Sequence, residues 1–224
     1  MSDLCSNIKT IAFIGNYLPR RCGIATFTTD LVEALCKHAP DRSCWAVAMN
    51  DKPEGYIYPQ NVRFEINQKL LSDYSQAADF LNINQVDVVC LQHEYGIFGG
   101  PAGSHILQLL SELRMPVVTT LHTVLAEPTD EYRAVMMRLA ELSDRLIVMS
   151  QKAIAMLQTV YGIDPQKISF IPHGIPDMPF VDPSYYKEQF GVLGKKMLLT
   201  FGLLSQNKGI EYALRALPRV VEQL

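Results

Sequence analysis

No apolar run in this 224-residue sequence approaches the roughly 18 residues that a membrane-spanning helix needs. Its first residues, Met1-Ser-Asp-Leu-Cys-Ser-Asn, lack the basic start and apolar stretch of a secretory signal. Charge of one sign is equally scarce. The formal net charge is −3, which removes the bulk electrostatic case for binding nucleic acid or an anionic membrane. Cysteines are few: Cys5, Cys22, Cys36, Cys44 and Cys90 are odd in number and form no C-x-x-C. That pattern suits reduced thiols better than a disulfide framework. The expected location is the cytoplasm, with peripheral attachment to a membrane left open.

Several chemical signatures are also missing. There is no G-x-x-x-x-G-K-[ST] loop and no G-x-S-x-G nucleophile elbow, and the first glycine-bearing loop is not G-x-G-x-x-G. No two aspartates stand at the D-x-D spacing that holds a metal and a diphosphate together. No H-E-x-x-H brings two histidines onto one zinc ion. Neither a metal nor a cofactor is expected.

What is present is alternation. Hydrophobic residues make up 48% and charged residues 19%, the balance of a chain with a sizeable core. Strand-like runs occur at Thr10–Ile14, Cys44–Met49, Val62–Ile66, Val86–Leu91, Val117–Leu121, Leu146–Met149 and Ile168–Ile171. Several are apolar on consecutive residues, as in strands buried on both faces of a parallel sheet. Between them, Phe27, Leu31, Ala34 and Leu35 share one helical face, as do Ile106, Leu109, Leu110 and Leu113. Tyr132–Leu142 and Ala153–Tyr161 read as two more helices. The pattern predicts an α/β fold over residues 1–175, a doubly wound parallel Rossmann-like sheet with right-handed crossovers.

Four prolines then fall between Pro172 and Pro183, each removing a donor and disfavouring helix before it. Residues 176–196 read as a linker with a short helix at Tyr185–Phe190. Met197–Phe201 reads as another buried strand, followed by an apolar stripe of Ile210, Ala213, Leu214, Leu217, Val220 and Val221. One strand and one helix cannot bury their own apolar faces. Residues 197–224 are therefore expected to begin a second, truncated Rossmann-like domain.

Ligands of open parallel sheets bind beyond the carboxyl ends of the strands. The first strand delivers Gly15 through Phe27, with Gly23 and Ile24 at a helix N-terminus that attracts anions and Arg20 and Arg21 beside it. The plainer reading is a tight turn with solvated arginines. The fourth strand runs into Gln92-His-Glu-Tyr-Gly-Ile-Phe-Gly-Gly, where His93 and Glu94 are either site groups or ordinary loop residues. The fifth places His122 just past its end, and His173 follows the seventh. Three histidines at one sheet edge favour a shared pocket. Lys208 precedes the last helix, where its ammonium and the helix amides face one anion or solvent alone.

Four stretches in this order carry a resemblance: Pro19-Arg-Arg-Cys-Gly-Ile-Ala-Thr-Phe-Thr, Val118-Thr-Thr-Leu-His-Thr, Ile171-Pro-His-Gly-Ile, and Phe201-Gly-Leu-Leu-Ser-Gln-Asn-Lys-Gly-Ile-Glu. Together they resemble the retaining glycosyltransferases of family 4 (the "group 1" transferases), which have the two-domain GT-B fold. The resemblance implies an acceptor-side domain over residues 1–175. It implies transfer of a hexosyl group from a UDP- or GDP-linked donor to a carbohydrate or glycolipid hydroxyl, with retention. His122 would be the catalytic group reaching the sugar, Gly23 and Ile24 would approach donor phosphate and acceptor, and Lys208 would hold the diphosphate. Arg21, His93, Glu94 and His173 are the further binding candidates.

Two departures stand out. Leu203 occupies the position of a family arginine, and the E-x7-E carboxylate pair that grips the donor does not occur before residue 224. Little or no transfer is therefore expected of this chain by itself. Two other readings compete: a non-catalytic glycan-binding or regulatory Rossmann-like module, and a histidine-rich metal-dependent hydrolase on a flavodoxin-like sheet.

Overall fold

All but the first residue of the opening apolar run, Thr10–Gly15 (β1), are buried. Its side chains alternate between two cores, as successive residues of a strand must. Ile11 and Phe13 pack with Val32 of the helix Gly23–His38 (α1), while Ala12 and Ile14 join a larger cluster on the opposite face. The computed structural model describes residues 8–175, 177–202, 204 and 208–223.

Six more strands complete one sheet: Ser43–Asn50 (β2), Val62–Asn67 (β3), Val88–His93 (β4), Val117–Leu121 (β5), Arg145–Val148 (β6) and Ile168–Phe170 (β7). Every pair is parallel, in the order β3-β2-β1-β4-β5-β6-β7. The order reverses between β1 and β4, so their carboxyl ends flank the crevice where such sheets bind ligands.

The larger core is closed by Leu71–Ile83 (α2), His105–Glu112 (α3), Asp130–Leu142 (α4) and Gln151–Thr159 (α5), which bury Leu81, Leu109, Met136 and Leu157 against the strands. The sequence pattern does not predict α2. Two of its four buried positions are alanines, Ala77 and Ala78, so its stripe is too thin to stand out. Tyr74 is the largest of the four.

An exposed carboxylate fastens the start of β1 to β4. Asp87 Oδ2 accepts from the amides of Lys9 and Thr10, each at 2.8 Å. These two bonds hold its carboxyl below the ordinary value. A lowered carboxyl contributes stability that is full above the unfolded value, near 4, and is lost as pH falls through the folded one. Asp87→Ala is therefore expected to melt below the wild type at pH 7 and to approach it by pH 2.5. Thermal unfolding at both pH values checks this; a constant gap would show that the ionised form adds nothing.

The chain divides into two compact units, Met1–Gly174 and Ile175–Leu224. The second, taken by itself, contains the short helix Pro183–Gln189 (α6), whose Asp182 cap accepts from the Ser184 amide at 2.7 Å. It also contains Ile210–Glu222 (α7), entered through Gly209 in the left-handed region. The strand expected at Met197–Phe201 is a correction: these residues join no ladder. A strand exists only through a neighbour's backbone, and among the described residues this unit holds no other strand. Leu203, the position of the family arginine, lies outside the described residues.

Candidate active site at the carboxyl edge of the sheet

The N-terminus of α1 stands over the end of β1. Cys22 caps it: Sγ accepts from the Ala25 amide at 3.3 Å, and the carbonyl accepts from the Thr26 amide at 3.2 Å. The amides of Gly23 and Ile24 are left to be met from outside the helix. A Cβ placed on Gly23 would meet nothing within 4 Å, so the approach is open.

The two arginines beside this terminus differ. Arg20 is tied down, donating to Asn16 Oδ1 at 2.9 Å and to the Met49 carbonyl at 3.1 Å, with Asp51 Oδ2 3.3 Å away. Arg21 is exposed.

One helical turn into α1, Phe27 projects between two histidines. Its ring meets His122 edge-on at 4.8 Å between centroids, and His173 at 5.2 Å. Edge-to-face contacts of this kind are each worth about 0.5–1.5 kcal/mol. The ends of β5 and β7 are thus drawn to the start of α1. The sequence places Phe27 on a helix stripe just after the first strand's loop, and its contact with both histidines is visible only in the fold.

His122 is held from two sides. Its backbone amide donates to the His93 carbonyl at 3.0 Å, and Nε2 lies 3.0 Å from Gln92 Oε1. Burial pushes its pKa down to about 4, and nearby His173 adds to the effect. The ring is therefore neutral through the physiological range.

A cleft of about 590 Å³ begins at His122 and His173 and runs between the Thr123–Ala126 loop and the first turns of α5. Val124, Leu125, Met149 and Met156 make its walls apolar, and Lys152 and Ser150 add polar groups.

Glu94 works as a tether. One carboxylate oxygen accepts from the Tyr95 amide and the other from Thr123 Oγ1, joining the loop after β4 to the loop that carries His122.

His93 departs from expectation. It is fully buried, stacked on Phe98 and edge-on to Tyr95, and neither ring nitrogen has a partner among the described residues. Burial, then His122, pushes its pKa to about 3. It therefore lies in the core rather than lining the cleft.

A histidine with a depressed folded pKa binds its proton better in the unfolded chain. Stability is then full above about 6.5 and is lost as pH falls toward the folded value. His93→Phe is expected to flatten this loss between pH 6.5 and 4. It should also raise stability at pH 7 by about 1–2 kcal/mol, since an unpaired buried N–H disappears. Urea unfolding across that range decides it, and an unchanged slope would mean His93 is not the acid-sensitive group.

Lys208 belongs to the second unit, where it lines a cavity of about 330 Å³ with Thr200, Phe201, Gly209 and Ala213. Among the described residues, no group of three or more His, Cys, Asp or Glu side chains is placed to hold a metal ion. No helix among them is long and apolar enough to cross a membrane.

The family model described as Glycosyltransferase Family 4 matches residues 22–177. No curated protein matches the sequence. Among solved structures, the chain is similar to the apo form of the lipopolysaccharide outer core galactosyltransferase WaaB, at 11% identity and a TM-score of 0.53. That match covers 74% of this chain and 46% of the other. It is also similar to a glycosyltransferase from Rickettsia africae ESF-5, at 17% identity and a TM-score of 0.56, over 83% of this chain and 50% of that one. The chain spans about half the length of these two structures.

Proposed function

Because the chain belongs to glycosyltransferase family 4, we propose that it takes part in moving a hexosyl group from a UDP- or GDP-linked sugar to an acceptor hydroxyl, with the anomeric configuration retained. The observation that carries this reading is the Phe27 junction, which gathers His122, His173 and the open N-terminus of α1 at the carboxyl edge of the sheet.

In such a transfer the bond from the anomeric carbon to the diphosphate breaks, and negative charge grows on the leaving oxygens. Fixed dipoles and cations that meet this charge lower the barrier. The amides of Gly23 and Ile24 supply dipoles, and Arg21 supplies charge beside them. His122, being neutral, hydrogen-bonds a hydroxyl of the donor sugar and neither attacks nor protonates it. The acceptor, a carbohydrate or a glycolipid, brings its hydroxyl oxygen to the same carbon, and the hydroxyl proton passes to the departing diphosphate oxygen. Glu94 and His173 serve by holding the loops around that hydroxyl.

The test is a panel of UDP- and GDP-hexoses incubated with the whole natural protein, with the product's anomeric configuration read by proton NMR. Turnover of one donor with retention supports the proposal; turnover with inversion refutes the stereochemical part. Glycan binding with no donor turnover would make this a recognition module.

A further inference from the structure

Gln92, the residue before the end of β4, is almost wholly buried, yet its amide turns to a ring on the neighbouring strand. We propose that Gln92 is a positioning residue that locks neutral His122 into the tautomer protonated on Nε2, leaving Nδ1 as an acceptor for a ligand hydroxyl. That Nδ1 meets a donor-sugar hydroxyl rests on the function proposed above; the tautomer itself does not.

The geometry is over-determined. Gln92 and Thr120 are register partners between β4 and β5, so the amide starts two residues from His122. The His122 amide is bound to the next residue of β4 at 3.0 Å, and Phe27 braces the ring edge-on. The ring therefore has little freedom to leave the Gln92 oxygen, which lies 3.0 Å from Nε2.

Gly15 clears the path for this side chain. A Cβ there would stand 3.0 Å from Gln92 Cβ, 3.3 Å from Thr28 Oγ1 and 3.5 Å from Gln92 Cγ, so the glutamine or the threonine would have to give way slightly. The backbone at Gly15 is not in the left-handed region, so the glycine is needed for space and not for conformation.

A neutral imidazole has one donor and one acceptor, and which nitrogen carries the proton follows from the partner of the other. An amide oxygen accepts only. With the amide oxygen facing the ring, as placed here, Nε2 carries the proton, and Nδ1, which has no partner among the described residues, keeps its lone pair. A ring so held selects a ligand group that donates, such as a hydroxyl, over one that only accepts. Its titratable neighbours are His173 across Phe27 and His93 behind it.

Long-range proton–nitrogen correlation spectra of protein labelled with 15N-histidine read the tautomer directly, on this chain as it stands. His122→Gln assigns the signal. The wild type is expected to show Nε2 protonated and Nδ1 bare from pH 5.5 to 8. Gln92→Met keeps the length but loses the amide, and should give shifts averaged between two tautomers. Gln92→Glu keeps the shape and adds charge, so the proton stays on Nε2 and the titration midpoint of His122 rises by at least about one unit. Gly15→Ala should disturb the same signal without removing any polar group. Unchanged signals from the other histidines report that each variant is folded.

A wild-type ring protonated on Nδ1, or a single unchanged tautomer in Gln92→Met, would overturn the proposal. In the whole protein, Gln92→Met should lower kcat more than it raises KM, by about tenfold to a hundredfold. Absence of any wild-type turnover would count against the transferase reading and leave the spectroscopic result standing.

Discussion

His122→Ala is expected to lower kcat/KM for sugar transfer by the whole protein on the order of a hundredfold or more, with little change in melting temperature. The size follows from placement. His122 is fixed by its backbone, by Gln92 and by Phe27 before any ligand arrives. A hydrogen bond from a group already in place costs nothing to organise as the transition state forms. Truncation also widens the cleft beside His173, so a water can take the place of the ring without its fixed direction. Because the side chain is only part-buried and carries no charge near neutral pH, the fold loses little. His122→Gln, which can still accept a hydrogen bond, should recover part of the rate. Near-normal transfer by His122→Ala would remove this residue from the reaction centre.

Gly99→Ala is expected to cost about 3 kcal/mol of stability or more, which for a domain of this size lowers the melting temperature by about 6–12 °C. A Cβ on Gly99 would lie 1.8 Å from the Gln68 carbonyl oxygen and 2.6 Å from His105 Nδ1. Neither neighbour can step back freely. The Gln68 carbonyl is held by the Tyr74 hydroxyl at 3.0 Å, and that same hydroxyl accepts from the Gly99 amide at 3.0 Å. The disturbed loop runs back to Glu94, whose carboxylate holds Thr123 beside His122, so the site loosens with the fold. Gly96→Ala is the control, because a Cβ there meets nothing within 4 Å. Two variants that melt together would mean the loop absorbs the clash.

The central strands were legible because a strand buried on both faces must be apolar on consecutive residues, and Val117–Leu121 or Thr10–Ile14 carry that texture whatever surrounds them. Met197–Phe201 has the same texture and forms no strand, since a ladder depends on a partner that the segment does not encode. The helix Leu71–Ile83 was hidden for the opposite reason: Ala77 and Ala78 fit closely against the sheet but weigh little in any periodicity.

At the site, the edge where histidines gather was readable from strand order. Which side chain faces the cleft was not. Gln92 and His93 are adjacent on β4 and point opposite ways, so one supports His122 while the other is sealed under Phe98. A shift of one residue would exchange their roles, and only the register with β5 decides it.

The position of β1 also sets the order in which the protein can assemble during synthesis. Its two neighbours are β2, made soon after it, and β4, which begins only at Val88. Until β4 emerges, the half-sheet β3-β2-β1 presents the edge that Val88–Leu91 will later close, with bare amides and carbonyls along Ile11–Ile14. At about 5–20 residues per second, the stretch from Asn67 to Val88 takes a few seconds to make. A nascent chain paused there offers a template for a neighbouring ribosome's product. Slow codons between β3 and β4 would accordingly reduce the yield of folded protein more than the same codons placed after β5.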